Sequence, residues 1–261
     1  MSRIVHLSDL HFGTDRQELL LPLADHVRVL GPDLVVVSGD LTQRARRGQF
    51  AEARTFLDGL GLPWLAVPGN HDVPLHNPLM RLLRPYSHYR AAMGEELEPA
   101  RRLPDALVSG LNTVDPYVWQ RGRLRRQSLE RACAQPSDGV LHLVAMHHPP
   151  EHAPGVDKRR MRGAEIGLAA LWECGVDVVL CGHLHSWRVQ PVRTAEGVLL
   201  IQAGTGLSTR LRGEPNDLNV LDIDGTALTV TRHVCAPGAA AFRPDAVHRY
   251  DKPGAIWRRA A

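Results

Sequence analysis

Short apolar runs that stop abruptly at polar side chains recur through the first two thirds of the chain. They are typical of buried strands and occupy residues 3–7, 34–37, 65–67, 140–146 and 176–181. Apolar residues at spacings of three and four predict amphipathic helices over residues 16–30, 49–60, 123–133 and 164–174. Because strands that alternate with helices pair in parallel, the pattern predicts an α/β fold whose ligands bind beyond the carboxyl ends of the strands.

Each of the five apolar runs ends in side chains that can bind a metal ion. These side chains are Asp9 and His11, Asp40, Asn70 and His71, His147 and His148, and His183 and His185. In the first and last pairs the residues are two positions apart, so in an extended segment both side chains leave the same face. A single histidine at a strand end is usually structural, but five such ends indicate a common site. We expect them to converge on one edge of a parallel sheet.

The donor types restrict the metal chemistry of such a site. Carboxylate and amide oxygens combined with imidazoles, without thiolates, favour manganese, iron or zinc over a structural zinc site built from cysteines. So many ligands are too many for one ion and suit two ions that share a carboxylate. The sequence therefore predicts two divalent or trivalent metal ions as cofactors.

The remaining segments are less regular. Residues 73–104 carry aromatic and basic side chains and indicate either a helical excursion beside the site or a surface helical pair without a role. The Gly-rich basic loop of residues 204–212 lacks the ending of a nucleotide-binding P-loop. We expect one catalytic domain over residues 1–235 and a loosely packed C-terminal tail over residues 236–261. Further short strands are predicted at residues 106–112, and as an antiparallel set at 188–192, 198–203, 218–223 and 227–234.

Composition places the chain among ordinary globular proteins. Hydrophobic residues make up 44% and charged residues 23%, and the formal net charge of +3 is too small to argue for nucleic-acid or membrane binding. The four cysteines, Cys133, Cys174, Cys181 and Cys235, show no paired spacing and are expected to be reduced core residues. No signal peptide and no apolar run of roughly 18 residues is apparent, so a cytoplasmic location without a membrane partner is the default expectation.

In chain order, the motifs D-x-H, G-D, G-N-H-D, a His before a proline pair, and G-H-x-H resemble those of the calcineurin-like metallophosphoesterases. The resemblance spans residues 9–185 and implies a four-layer α/β/β/α sandwich with a dinuclear metal centre at its rim. It implies that one metal is held by Asp9, His11 and His185, the other by Asn70, His147 and His183, and that Asp40 bridges them. His147 is preferred to His148 because the family's ligand directly follows the strand. His71 would contact the substrate phosphate, with Asp72 orienting its ring and raising its pKa so that it can be cationic.

The proline pair after His147 and His148, together with Gly204-Thr205-Gly206, looks most like the bacterial branch of class III cyclic-nucleotide phosphodiesterases and glycerophosphodiesterases. The resemblance implies hydrolysis of small phosphodiesters, with 3′,5′-cyclic nucleotides as candidates, by attack of a metal-bound hydroxide. His148, Arg210 and Arg212 are candidate substrate contacts, although the two arginines could equally be solvated. A DNA or RNA nuclease, a phosphomonoesterase and a non-enzymatic scaffold stay open as alternatives.

Overall fold

Two β-sheets lie face to face, with helices on both outer faces. In the computed structural model, which describes residues 1–260, the chain forms thirteen strands and six α-helices. The strands are β1 (Ser2–Leu7), β2 (Leu34–Val37), β3 (Trp64–Ala66), β4 (Ala100–Arg102), β5 (Ala106–Leu111), β6 (Leu141–Met146), β7 (Val178–Cys181), β8 (Arg188–Val192), β9 (Ala195–Gln202), β10 (Asn216–Asp224), β11 (Ala227–Cys235), β12 (Arg243–Asp251) and β13 (Arg258–Arg259). The helices are α1 (Leu20–Leu30), α2 (Arg47–Gly59), α3 (Pro78–Leu83), α4 (Ser87–Met93), α5 (Arg126–Cys133) and α6 (Ala164–Glu173).

Both sheets are mixed. The first has the order β13-β12-β11-β10-β1-β2-β3, in which β1, β2 and β3 run parallel and the remaining pairs are antiparallel. The second has the order β4-β5-β6-β7-β9-β8, in which β5, β6, β7 and β9 run parallel between two antiparallel edge strands. Helical crossovers link the parallel strands, as the alternating pattern predicted, except for β7 and β9, which are connected through β8.

Three apolar cores separate the four layers. Strands β2, β6 and β7 are buried along their whole length, which is why their sequences are apolar without alternation. Side chains such as Val36 and Leu143 fill the space between the sheets, while α1 and α2 cover the first sheet and α5 and α6 the second. The four-layer α/β/β/α prediction is confirmed.

The five ligand-bearing strands are divided between the two sheets. Strands β1, β2 and β3 belong to the first sheet, whereas β6 and β7 belong to the second. The expectation that all five ends share one edge of a single parallel sheet is therefore wrong. Apolar runs report that a strand is buried but do not report which sheet it joins, because both sheets are covered on both faces.

The excursion over residues 73–104 contains two short helices. It contains α3 and α4, but its last part forms the edge strand β4, which pairs with β5. The hydroxyl of Tyr89 in α4 is buried and donates a hydrogen bond of 3.0 Å to the carbonyl of Ala66 at the end of β3. This contact fixes α4 next to the strand that leads into Asn70. No helix within residues 1–260 has both the length and the apolar character that a bilayer span requires.

The cysteine prediction is wrong for one pair. Cys133 at the end of α5 forms a disulfide with Cys174, which follows α6, whereas Cys181 and Cys235 are buried thiols. The two bonded residues are 41 positions apart and become neighbours only because their helices pack side by side, so their spacing carried no signal. Disulfides are uncommon in reducing compartments, and the cytoplasmic location stays a prediction.

The C-terminal segment is not loosely packed, so that prediction is also wrong. Strand β12 extends the first sheet beyond β11, and β13 pairs with β12. Most side chains of β12 are exposed, so no apolar run marked it, but Tyr250 and Trp257 enter the core between the sheets. The indole of Trp257 donates a 2.8 Å hydrogen bond to the carbonyl of Asp177. Ala261, the last residue of the predicted tail, lies outside the described residues.

We expect Trp257→Ala to lower the free energy of unfolding by about 3–5 kcal/mol, because it removes a large side chain from a closed core and leaves a cavity. Trp257 is 3% exposed, whereas its neighbour Ile256 is 43% exposed, so Ile256→Ala is the matched control. Ile256→Ala should change stability by no more than about 0.5 kcal/mol. Chemical denaturation of the three proteins tests this, and equal stability of both variants would contradict the packing described for the C-terminal segment.

Candidate metal centre

Three of the five strand ends that carry the predicted ligands share an unusual backbone conformation. Asp9, His11, Asp40, His183 and His185 have φ values between 51° and 70°, in the left-handed region. Such a conformation costs a non-glycine residue on the order of 1–3 kcal/mol and persists only where surrounding contacts impose it. The strain is concentrated where the chain must turn sharply and point short polar side chains at the rim, which indicates a functional constraint.

Backbone hydrogen bonds between the strand ends impose these turns. The N–H of Asp9 donates to the carbonyl of Gly39, and the N–H of His11 donates to the carbonyl of Asp40, both at 3.0 Å. The N–H of His183 donates to Oδ2 of Asp9 at 2.9 Å and so joins the two sheets at the rim. The structure thereby brings all seven predicted ligands to one place.

The first group of donors consists of Asp9, His11 and His185. Nε2 of His185 lies 3.0 Å from Oδ1 of Asp9, and Nε2 of His11 lies 3.2 Å from Nε2 of His185. Nδ1 of His185 donates to the carbonyl of Arg210 at 2.7 Å, which leaves the lone pair of Nε2 turned toward the carboxylate. Although burial opposes a charge on this ring, Asp9 raises the pKa of His185. The group thus requires positive charge between its members.

The second group contains Asn70, His147 and His183. Nδ1 of His147 donates to the carbonyl of Ser38 at 2.9 Å, and its Nε2 lies 3.2 Å from Oδ1 of Asn70. The ring of His183 packs against that of His147, with 5.1 Å between the centroids. Asn70 therefore lies beside the histidine with which it was predicted to share an ion.

Asp40 lies between the two groups. Its Oδ1 accepts the backbone N–H of His71 at 2.8 Å. Its Oδ2 lies 3.3 Å from Nε2 of His147 and 3.6 Å from Nε2 of His11, which belong to different groups. A carboxylate in this position can reach both donor groups through a single oxygen, Oδ2.

The arrangement fits metal ions because carboxylate oxygens and imidazole nitrogens with free lone pairs converge, with too few N–H and O–H groups to bond to them. Oδ2 of Asp9 accepts from the hydroxyl of Ser8 and from His183, but Oδ1 is buried without a hydrogen-bond partner. Asp9 and Asp40 are both essentially inaccessible to solvent. Buried carboxylates without compensating positive charge are strongly destabilising. Oxygen and imidazole donors suit divalent ions of the manganese, iron or zinc type, and sets of three such donors lie within 4.8 Å of one another.

The predicted relation between His71 and Asp72 is wrong. Nδ1 of His71 donates to the carbonyl of Gln43 at 2.9 Å, and its Nε2 accepts a 3.3 Å hydrogen bond from Arg210. Asp72 instead accepts from backbone N–H groups of Gly69, Leu41 and Thr42, so it fastens the turn after β3 to the turn after β2. Burial lowers the pKa of His71, against the expectation of a cationic ring. Adjacency in sequence did not reveal that the two side chains point in different directions.

His148 is placed differently from the prediction. Its Nε2 donates to the carbonyl of Gln120 at 3.1 Å, and its Nδ1 accepts from the hydroxyl of Thr113 at 2.9 Å. Both ring nitrogens are thus bonded within the chain, which leaves neither for a substrate. The ring packs 4.6 Å from that of His183, so His148 supports a predicted ligand. The sequence could not show that His148 packs against a predicted ligand and does not contact the substrate, because His147 and His148 are adjacent residues of the same type.

The structure adds residues that the sequence analysis did not single out. The ammonium of Lys158 donates to the carbonyl of His183 at 3.4 Å. Burial, followed by the nearby charge of Arg212, lowers the pKa of Lys158. The hydroxyl of Thr205 donates to the carbonyl of Asp9 at 2.7 Å and holds its strained turn. The sequence marked a basic loop around Lys158 and a Gly-rich loop around Thr205. Neither pattern shows whether the side chains of the loop point toward the site.

Comparisons with known proteins agree with this geometry. The sequence model of the calcineurin-like phosphoesterase family matches residues 2–187. The chain is 31% identical over 211 residues to the glycerophosphodiester phosphodiesterase GpdQ of Enterobacter lignolyticus, covering 74% of each chain. It is 24% identical over 201 residues to the 3′,5′-cyclic adenosine monophosphate phosphodiesterase CpdA of Escherichia coli K12, covering 70% of this chain and 69% of that protein.

A solved structure shows the same fold. The purple acid phosphatase PPD1 from yellow lupin superimposes with a TM-score of 0.70 at 12% identity, over 94% of this chain and 53% of that protein. At this low identity the likeness concerns the fold alone. It supports the four-layer arrangement independently of the sequence motifs.

We expect Gly69→Ala to weaken metal binding about 10–100-fold, as is usual when a residue that positions a ligand is disturbed. A Cβ at Gly69 would lie 2.2 Å from both the backbone nitrogen and Oδ1 of Asp40, so Asp40 must move. Gly48→Ala in α2 is the matched control, because a Cβ there meets nothing within 4 Å. Calorimetric titration with Mn²⁺ measures the affinity. Wild-type affinity in a folded Gly69→Ala variant would contradict the placement of Asp40 in the metal centre.

Proposed function

The chain belongs to the calcineurin-like phosphoesterase family and is a metal-dependent phosphoester hydrolase, and from this premise we propose that it hydrolyses small phosphodiesters at a dinuclear centre. The observation that carries the proposal is Oδ2 of Asp40, which lies within 3.6 Å of imidazole nitrogens from both donor groups. In the proposed site, Asp9, His11 and His185 hold one ion, and Asn70, His147 and His183 hold the other.

The identity of the two ions is proposed from the donor set as manganese, iron or zinc. When bound, a pair of such ions supplies an activated water and neutralises charge on the phosphoryl group. The residues that would hold them are already buried and oriented by hydrogen bonds: His147 donates to the carbonyl of Ser38, His185 donates to the carbonyl of Arg210, and Asp9 accepts from the hydroxyl of Ser8. Little rearrangement of the chain is therefore needed on binding.

His71 and Arg210 are proposed to act on the substrate itself. The guanidinium of Arg210 contacts Nε2 of His71, and the ring of His71 packs against that of His11. Both side chains therefore lie beside the first donor group. The guanidinium can donate to a phosphoryl oxygen. The carbonyl of Gln43 holds the proton of His71 on Nδ1, so Nε2 is placed to take up a proton and release it to the leaving oxygen.

Small phosphodiesters are favoured over the alternative substrates for separate reasons. Both sequence relatives are named as phosphodiesterases, one for glycerophosphodiesters and one for cyclic AMP. A nuclease requires a basic track along the nucleic-acid backbone, for which a net charge of +3 gives little support. A scaffold without metal chemistry would have no use for buried, strained and unpaired carboxylates. A phosphomonoesterase would use the same ions, so substrates must be compared directly.

An activity panel on the manganese-loaded protein makes that comparison. It includes cyclic AMP, cyclic GMP, glycerophosphodiesters, single-stranded DNA and p-nitrophenyl phosphate. We expect kcat/KM to be highest for a cyclic nucleotide or a glycerophosphodiester. Preference for the monoester or for DNA would instead establish one of the alternative activities.

His71→Ala should reduce kcat for bis-(p-nitrophenyl) phosphate by about 10²–10⁴-fold, because it removes a positioned proton-transfer group. Asn70→Ala should weaken metal binding about 10–100-fold and reduce turnover at limiting metal. His76→Ala is the control, since this histidine is exposed and only a few residues downstream. Unchanged metal-dependent hydrolysis in both Asn70→Ala and His71→Ala would eliminate the proposed active site.

A further inference from the structure

Three basic side chains lie beside the metal centre without acidic partners. Within residues 1–260, Lys158, Arg210 and Arg212 make no salt bridge, whereas Arg188 is paired with Glu151 and Arg232 with Asp217. Lys158 and Arg210 are half-buried, and Arg212 is exposed. Partly buried cations that are left unpaired incur a desolvation cost. Their retention next to a catalytic centre indicates that an anion from outside the chain pairs with them.

We infer that Lys158, together with Arg212, forms a second anion-binding subsite next to Arg210, and that preferred substrates are phosphodiesters carrying a further phosphate or carboxylate group. This inference rests on the proposed function, because it assigns a substrate class to the same centre. Lys158 contacts the backbone of His183, and Arg210 contacts both His71 and His185. The cluster therefore lies next to both donor groups.

Lys158 is held in position by a chain of hydrogen bonds. Its own carbonyl accepts from Nδ1 of His152 at 3.1 Å, and the carbonyl of His152 accepts from Arg193 at 3.4 Å. Arg193 also bonds to Glu151, which is buried and follows the proline pair after His148. The loop that carries Lys158 is thus fastened to the second sheet. A lysine anchored in this way is suited to a defined subsite, in contrast to one that is freely solvated.

Charge balance favours a substrate with more than one anionic group. Two divalent ions already exceed the charge of the two carboxylates, Asp9 and Asp40, and a simple phosphodiester brings only a single negative charge. Three further cations are more than such a substrate can neutralise. A terminal phosphate adds up to two negative charges, and its oxygens match the forked donors of arginine. A carboxylate offers the same contacts with less charge.

The test uses two substrates that differ only by a terminal phosphate: glycerophosphoglycerol and its terminal phosphate ester. Cleavage of the internal diester by the full-length, manganese-loaded protein is followed by ³¹P NMR, which separates it from loss of the terminal phosphate. We expect kcat/KM to be at least about tenfold higher for the phosphorylated substrate, as one charge-assisted contact would give. Lys158→Gln should reduce this ratio about tenfold, mainly through KM.

Arg159→Gln is the matched control, because Arg159 is an exposed cation in the same loop, and its ratio should equal that of the wild type. Lys158→Arg should keep the preference, which separates loss of charge from disturbance of the loop. A wild-type ratio near one, or an unchanged ratio in Lys158→Gln, would overturn the subsite. Failure of the wild-type protein to hydrolyse bis-(p-nitrophenyl) phosphate would instead overturn the proposed function.

Discussion

The structure depends on two buried carboxylates that require positive charge. Asp9 and Asp40 are almost fully inaccessible, and their free oxygens point at the imidazole nitrogens of His11, His147 and His185. Without cations between them these acceptors repel one another in a medium of low dielectric constant. Strained left-handed turns at three of the five strand ends bring further short side chains to the rim, at a cost that the surrounding contacts must offset.

The two-sheet core makes this cost tolerable. Apolar side chains close the space between the sheets and cover both outer faces, so the positions of the strand ends are fixed by extensive burial. The rim is then joined by a few polar contacts between sheets, such as the bond from His183 to Asp9. Stability therefore resides in the core, and the free energy stored at the rim is available for binding ions and substrate.

The sequence pattern predicted the strands and the motif residues, but it could not predict side-chain direction or contacts between distant parts of the chain. Apolar runs and their abrupt ends located the strands, and the side chains from Asp9 to His185 that converge at the rim were identified because their chemistry is written in short motifs. The sequence did not show in which direction each side chain points, so Asp72 was predicted to orient His71. In the structure Asp72 binds the backbone of the neighbouring turns, and the carbonyl of Gln43 orients the ring of His71. Long-range partners were equally hidden. Cys133 meets Cys174 only through helix packing, and Trp257 reaches the core from the largely exposed segment between β12 and β13.

The distribution of paired and unpaired cations separates structural from functional charge. Arg232 is satisfied by Asp217, and together they lie behind the Gly-rich loop, because Asp217 also accepts the N–H of Gly204. Arg210 lies on the same loop; its guanidinium donates to the ring of His71, and its carbonyl accepts from His185. The Gly-rich loop is thus fastened by the neutralised pair of Arg232 and Asp217, while Arg210 on the loop keeps a charge without an acidic partner. Since neutralisation within the chain would abolish attraction for a substrate, we propose that the free charge serves recognition, whereas the paired one belongs to the scaffold.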